Sequence, residues 1–565
     1  SNAYNGNHYS TEYIKYYNSS LESKNYLYQI TKQQNLLSIR KMMDLYGDFL
    51  LKLFPCWLLS PESVSTIFPL KKEMFDIILF DEASQVFIEN TLPTIYRGKH
   101  IVVAGDSKQL RPSATFVKRY MGNDSDEDLD LATQAALEVE SLLDLSTSRL
   151  NSTNLTYHYR SKSEELINFS NYAFYDGKLQ VAPNVTKNIG NKPIERIKVN
   201  GRWIGRRNEE EAQAIVQLLK KLIKNKRNKS SIGIISFNTE QENAIEDAID
   251  AECQKDSQFR DAYLREQNRK ENNEDTSIFI KNLENVQGDE RDIIIFSIGY
   301  AQNEYGRVVA HFGPLSQEGG ENRLNVAITR AKEKIYVVTS IEPEELIVEG
   351  SKNAGPKIFK SYLKYVRAVS NKKDKEAGFI LDSFKPALPE TKDIVKSNQL
   401  ENEIKDELTK LGYTVETNLG HTNYKLSLAI YNKKLDRYLL GIECDYSAYK
   451  SSDSIMERDV YRNKFLKSRG WDIMRVWSRD WWLNKNKVIA SIVKAVNANL
   501  KKYEKPKALD NKAEQTKADK TNEKINQEKS KQPTKEKQIL KTSKQEKTAT
   551  ENTLDNKNKN KKLKQ

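Results

Sequence analysis

Two adjacent carboxylates, Asp81 and Glu82, stand directly behind the apolar run Asp76-Ile77-Ile78-Leu79-Phe80. Such a run, ending in charge, is how a buried parallel strand delivers side chains to its C-terminal edge, where open α/β sheets bind ligands. Two acids placed there suit nucleotide hydrolysis, in which the first can hold Mg²⁺ and the second can orient the attacking water. Taken alone, the same dipeptide reads equally well as two exposed acids capping a strand.

Positioning such a pair requires a sheet, and the sequence supplies strand-like runs in two series. The first comprises Asp76–Phe80 and His100–Ala104, both expected to be buried on two faces. The second comprises Ser231–Ile235, Asp292–Phe296 and Ile335–Val338, with helical patterns between them. The expected fold class is therefore α/β, with two doubly wound parallel-sheet lobes. Residues 1–53 read as a helical connecting segment, 54–147 as part of a first lobe, 148–367 as a second lobe, and 368–397 as a linker. Residues 239–276 are highly charged with amphipathic spacing, which predicts a helix projecting from the sheet edge. A smaller α/β domain is expected over 398–500, and a tail over 501–565.

At 565 residues the chain is too long for a single core, and 38% hydrophobic with 30% charged residues describes a globular protein with a local polar surplus. That surplus is the tail, which holds 20 lysines against seven glutamates and three aspartates, a net +10 of the chain's +13. It has too little apolar content to offset its ordering entropy and is expected to be disordered, its lysines free to meet phosphates. No run is long and apolar enough to span a bilayer, so a cytoplasmic location without membrane partners is expected. Cys56, Cys253 and Cys444 lie far apart, which suggests neither a disulfide framework nor a zinc cluster. The opening Ser1-Asn2-Ala3 resembles the scar of a cleaved tag.

Further blocks follow Asp81-Glu82-Ala83-Ser84-Gln85 in order: Val103-Ala104-Gly105-Asp106-Ser107-Lys108-Gln109-Leu110-Arg111-Pro112, His158-Tyr159-Arg160-Ser161, Ser236-Phe237-Asn238, Glu284 through Asp292, and Asn322 through Lys332. This collinear set resembles motifs II to VI of superfamily-one helicases of the Upf and Senataxin branch, with RecA-like lobes. The resemblance implies an ATP-hydrolysing motor that moves on nucleic acid. It implies that Asp81 holds Mg²⁺, Glu82 activates water, Gln109 senses the γ-phosphate, and Arg160 and Arg330 stabilise the transition state. Gly288, Glu290 and Arg323 would approach the nucleotide, while Ser60, Ser63, Asn238, Asn285 and Thr329 would touch the nucleic-acid backbone. Arginine forks suit the spread of charge over a transferring phosphoryl group.

A motor of this kind also needs a loop ending in Gly-Lys-Thr or Gly-Lys-Ser to hold the β- and γ-phosphates. The only Gly-Lys pairs are Gly98-Lys99 and Gly177-Lys178, followed by His100 and Leu179. The first lobe is therefore expected to be incomplete and the phosphate loop to lie upstream in a longer protein, so that this chain alone would hydrolyse ATP poorly.

Residues 398–500 resemble restriction-endonuclease-like domains related to very-short-patch-repair nucleases, most specifically in Gly470-Trp471 through Trp481. Glu443 and Asp445 would be its metal ligands, with Glu403 a possible substitute. Departures from the pattern are Ser427 where the first-strand aspartate is usual, and Tyr446 and Lys450 after Asp445. They favour a DNA-binding module that does not cut over a working nuclease, with binding through the basic segment Arg458–Arg469 and Trp471, Trp477, Trp481 and Trp482. This domain favours DNA over RNA as partner. An RNA helicase, or an ATP-independent binding scaffold with lapsed motor and nuclease, is the rival.

Overall fold

The computed structural model describes residues 21–32, 34–112, 141–188, 191–224, 230–272, 274–308, 312–385, 399–420, 424–445 and 454–504. Its first part runs α1 (Leu21–Thr31), α2 (Ile39–Leu53), α3 (Pro61–Ile67), β1 (Phe75–Phe80), α4 (Ile88–Tyr96) and β2 (Gly98–Val103). Ser38 and Ser60 start α2 and α3 by accepting the amides of Lys41 and Ser63, and Pro61 fits the first turn. β1 and β2 pair in parallel, with Phe80 opposite Val103. Ile78, Phe80, Ile101 and Val103 pack on Ile95, Leu142 and Leu143. The alternate residues Ile77, Leu79 and Val102 are exposed, so the expected burial on both faces is not met among the described residues. A two-stranded sheet with helices on one side leaves its other face to solvent.

The first part closes with α5 (Leu142–Arg149), which packs on β1 and β2, and the second lobe comprises α6 (Glu165–Phe174), β3 (Ile194–Lys198), α7 (Glu209–Lys224), β4 (Ile232–Ser236), α8 (Thr239–Lys255), α9 (Ser257–Gln267), a small hairpin β5 (Lys270–Glu271) and β6 (Glu274–Asp275), β7 (Phe279–Asn282), β8 (Arg291–Ser297), α10 (Gly320–Ile328), β9 (Ala331–Thr339), α11 (Ala354–Ser370) and α12 (Asp374–Asp382). Its five strands are parallel throughout, in the order β3-β9-β8-β4-β7. Period-two alternation divides their side chains between two cores. Ile235, Ile294, Phe296 and Val337 face Phe359, Tyr362 and Val366. Ile234, Ile293, Ile295 and Val338 face Ile215, Leu219, Ile245 and Phe259. This is the doubly wound α/β architecture.

Two sequence expectations change here. The charged stretch 239–276 does not project: α8 buries Ala244, Ile245, Ala248 and Ile249, and α9 buries Phe259 and Tyr263. A narrow stripe, half of it alanine, is enough to seat α8 despite its charge. The first half of the expected linker is α12, whose Ala377 and Leu381 join the core beside α11; residues 386–397 lie outside the described ones.

The third part contains α13 (Gln399–Lys410), β10 (Thr414–Leu419), β11 (Leu426–Asn432), β12 (Arg437–Cys444), α14 (Arg462–Ser468), β13 (Ile473–Val476) and α15 (Ser478–Leu483). β10, β11 and β12 are antiparallel neighbours and β13 joins β12 in parallel. A last helix, α16 (Lys485–Glu504), carries residues 501–504, so helix continues four residues into the expected tail. The rest of that tail, with Tyr446 and Lys450, lies outside the described residues. Among the described residues no helix is long and apolar enough to cross a membrane.

At the end of the second sheet lies a wholly buried carboxylate. Glu211 accepts from the Gly299 amide at 2.8 Å, Ser340 Oγ at 2.9 Å and Ser297 Oγ at 3.1 Å. Burial outweighs these bonds and pushes its carboxyl up to about 7. A folded-state value raised above the unfolded one contributes stability that is full below about 4.5 and lost as pH rises to about 7. Chemical denaturation should therefore show a decline on the order of 3 kcal/mol across that window, and Glu211→Gln should flatten it. An unchanged slope in the variant would remove Glu211 as its source.

Candidate nucleotide site between the two parallel sheets

β1 carries Asp81 and Glu82 to its C-terminal edge. Asp81 Oδ1 accepts the Glu82 amide at 2.9 Å, and Glu82 takes φ 52°, the left-handed region, before a short turn over Ala83–Gln85. A non-glycine residue there costs about 1 kcal/mol or more and persists only where its surroundings hold it. They do so through the Ala83 amide, which donates to Ala104 O at 3.0 Å, and the Ala104 amide, which donates to Phe80 O at 2.8 Å. The Glu82 carboxylate accepts from Gln85 Nε2 at 3.2 Å and, across the cleft, from Gln287 Nε2 at 3.0 Å.

The turn after β2 is tied to the second lobe. Asp106 Oδ2 accepts from Gln109 Nε2 at 3.0 Å and from the Tyr175 hydroxyl at 2.7 Å, while Oδ1 accepts the Lys108 amide at 2.9 Å. Asn325 Nδ2 donates to Lys108 O at 2.8 Å and to the Tyr175 hydroxyl at 2.9 Å; Asn322 Nδ2 donates to Gln109 O at 3.0 Å. Burial, and then the Asp106 charge, hold the Tyr175 hydroxyl well above the ordinary tyrosine range, so it remains a donor at neutral pH.

From the second lobe, Arg160 Nε meets Glu290 Oε2 at 2.7 Å, and Lys332 Nζ meets Glu290 Oε1 at 2.7 Å. Burial raises the Glu290 carboxyl, but these two cations outweigh it and leave it below the usual range. Arg330 is 3% exposed and donates to Val326 O at 2.7 Å and Thr329 Oγ1 at 3.0 Å. Burial first, then the Arg160 charge, lower its guanidinium to about 10, opposed by Glu290 and Glu82. It stays protonated at neutral pH, within the electrostatic reach of all three. Gly288 has φ 86° with open space before it, so conformation rather than crowding calls for glycine. Arg323 instead pairs with Glu284 at 3.5 Å.

Glu82, Gln109, Arg160, Glu290 and Arg330 thus surround one cleft, with Asp81 at its rim. Sequence reasoning missed Gln287, Asp106, Tyr175, Asn322, Asn325 and Lys332, all but Tyr175 of which lie inside the quoted blocks. The nucleic-acid candidates are scattered. Ser60 and Asn238 cap helices, and Ser63 bonds to Ser60. Asn285 is exposed on a turn. Thr329 is a correction: it is buried, its hydroxyl bonded to Asn325 O, Val326 O and Arg330, because it closes the end of α10.

In the third part the expected metal ligands do not converge. Glu443, buried, is ion-paired with Arg462 and lies 3.6 Å from Arg475. Asp445 Oδ2 accepts from Ser478 Oγ at 2.8 Å and its amide at 3.1 Å. Glu403 accepts from Trp481 Nε1 at 3.2 Å and from Gln399. Among the described residues no group of three or more His, Cys, Asp or Glu could hold a metal ion. Glu401, on the buried side of α13, was missed; together with burial its charge pushes the Cys444 thiol up to about 12. Trp471 and Trp481 are core residues, which leaves Trp477 and Trp482 exposed. The basic segment is partly internal, since Arg462 pairs with Glu443 and Arg469 donates to Tyr159 O.

Two family models match stretches of the chain. Residues 138–342 match the AAA domain family AAA_12, and residues 400–496 match the restriction-endonuclease-like family REase_MTES_1575. Over these two stretches the chain is similar to an AAA domain and to a restriction-endonuclease-like domain. Among its relatives, ATP-dependent helicases of Mycoplasma pneumoniae and Mycoplasma genitalium are each 34% identical, over 78% and 81% of this chain. The chain spans 38% and 40% of their lengths. A DNA replication ATP-dependent helicase/nuclease of Gallus gallus is 28% identical over 47% of this chain and 23% of its own.

Glu443→Ala would strip the buried Arg462 of its counter-ion. It should cost roughly 3 kcal/mol or more of stability, read by denaturant unfolding. A change within about 0.5 kcal/mol, the usual surface-substitution range, would show the pair to be incidental.

Proposed function

We propose that this chain is the C-terminal portion of a superfamily-one ATP-dependent DNA helicase or translocase, which couples ATP hydrolysis to movement along the strand. The observation that carries this reading is the hydrogen bonding of Gln287, from the second lobe, to Glu82 and Gln109 on the turns that follow β1 and β2, in the same loop as Glu290, the partner of Arg160. A cleft lined by separable lobes is what turns phosphate contacts into relative motion.

Asp81 suits Mg²⁺: its carboxylate is exposed at the strand edge and makes no ion pair among the described residues. Asp81 would hold the ion there, where its positive charge would offset that of a transferring phosphoryl group. Glu82 orients and deprotonates the attacking water, aimed by the left-handed backbone and held by Gln287. Arg330 presents a buried guanidinium whose partners are a carbonyl and a hydroxyl, so its charge is left for an anion. Arg160 reaches the phosphates by giving up Glu290, which Lys332 continues to neutralise. Gln109 reports the γ-phosphate to the second lobe through Asp106 and Tyr175. The phosphate-binding loop would come from an upstream part of the same protein.

DNA is favoured over RNA because the third part is restriction-endonuclease-like and a relative is a DNA replication helicase/nuclease. That part would bind DNA without cutting it: Glu443, Glu403 and one oxygen of Asp445 are engaged by protein groups, and Ser427 offers a hard dication only a neutral oxygen.

In the full-length protein, Glu82→Gln should trap ATP with little hydrolysis. Arg330→Ala should lower kcat by roughly 10³-fold or more while ATP affinity changes little. Retained turnover in either variant would cancel that role. Deleting residues 505–565 should weaken nonspecific DNA binding and flatten its salt dependence, because each lysine–phosphate contact releases counterions. An identical slope of log affinity against log salt would make the tail a bystander.

A further inference from the structure

Arg160 does not sit on a strand or helix. Between α5 and α6 the chain runs from 150 to 164 without regular structure, apart from a single bridge that pairs Tyr157 with Gln180. Nothing in its backbone pattern fixes where Arg160 stands, so side-chain contacts must do so. On its inner side the segment is tied to β9: Ser161 Oγ donates to Ala331 O at 3.3 Å and the Lys162 amide to Lys332 O at 2.7 Å. On its outer side it is held by the endonuclease-like domain.

That outer contact is built like a core. The rings of Tyr157 and Tyr159 meet Phe465 of α14 edge to face, with centroids 4.9 and 5.1 Å apart. The Tyr157 hydroxyl bonds to Glu457 and lies 3.1 Å from that of Tyr424. Arg469 Nη1 donates to Tyr159 O at 3.1 Å, one peptide from Arg160. The loop that follows α6 is gripped as well, by Trp471 Nε1 on Pro183 O at 2.8 Å and the Tyr438 amide on Val185 O at 2.9 Å. Between the two tyrosines His158 points back, its Nε2 accepting the Ser161 amide at 3.0 Å. The segment is thus pinned at 157 and 159 by one domain and at 161 and 162 by the other, and Arg160 stands between.

We propose that the endonuclease-like domain sets the position of Arg160, with Tyr157, Tyr159 and Phe465 acting as positioning residues for ATP turnover. The inference rests on the reading of Arg160 as a cation that stabilises the transition state. It gives a domain without cleavage chemistry a mechanical role, because DNA held on it is felt at the nucleotide through a short strap. Misplacement of a catalytic group by about 1 Å can cost roughly 10²-fold in rate, so loosening the strap should appear in kcat rather than in ATP binding.

The test uses the full-length protein and DNA-stimulated ATP hydrolysis, in steady state and in single turnover so that low rates are read. Phe465→Leu and the milder Tyr157→Phe should each lower kcat by about 5-fold to 50-fold, with KM for ATP within about 2-fold. In an Arg160→Ala background the same changes should lower turnover by less than about 2-fold, because two residues acting through one contact are not additive. If Arg160→Ala loses turnover while both strap variants keep theirs, the positioning role is wrong and the nucleotide site stands. Proportional losses with and without Arg160 would also overturn it. Full turnover in Arg160→Ala would sink the underlying reading of the site instead.

Discussion

One carboxylate, Asp106, joins the first parallel sheet to the second lobe. Its oxygens accept from Lys108 and Gln109 on its own turn and from Tyr175 beyond α6, and Tyr175 is bonded in turn to Asn325 of α10. Bonds to an ionised acceptor are roughly twice as strong as neutral ones, and partial burial makes each expensive to break. Gln109 is held in place by this junction, and Gln287 can reach Glu82 and Gln109 only while it lasts. The cleft is therefore a property of two lobes held at one charged point, and shifting Tyr175 would disturb several bonds together.

Charge in the cleft is unevenly matched. Glu290 has two cations, Arg160 and Lys332, while Arg330 is buried with polar neutral partners. An uncompensated guanidinium in a desolvated position is costly unless something anionic completes it. Glu82 and Glu290 temper the cost at a distance, opposing the burial that lowers the Arg330 guanidinium. A bound polyphosphate would relieve it directly. A buried guanidinium without a carboxylate partner suits an anionic ligand.

How much of this was legible in the sequence differs by level. The apolar runs behind β1, β2, β4, β8 and β9 read correctly as parallel strands; β4, β8 and β9 are buried on both faces, which leaves continuous Ile and Val, whereas β1 and β2 keep the run with one face exposed. β3 and β7 did not, because Ile194-Glu195-Arg196-Ile197-Lys198 and Phe279-Ile280-Lys281-Asn282 are short and half charged, as edge strands are. Asp81, Glu82, Gln109, Arg160 and Arg330 were placed by motif. The motif could not convey that Thr329 is buried, nor that Tyr175, distant in sequence, closes the junction. Spacing along a chain encodes which face a residue takes, not which partner it finds across a cleft.

The endonuclease-like domain shows the same limit from the chemical side. A buried carboxylate must be neutralised, and a dication or a guanidinium can do it. Glu443 stands on a strand where Mg²⁺ would serve, yet Arg462 and Arg475 reach it from α14 and β13. Ser427, opposite it on β11, donates no charge and instead accepts the Cys444 amide at 3.2 Å. Once the strand pair holds a hydroxyl in place of a second acid, the charge favouring a dication falls and a positive side chain satisfies Glu443 at less cost. The arginines hold α14 against the sheet, and α14 carries the Phe465 face on which Tyr157 and Tyr159 rest. The pair of Glu443 with Arg462 thus ties α14 to β12, and a fixed α14 is what a strap leading to Arg160 requires.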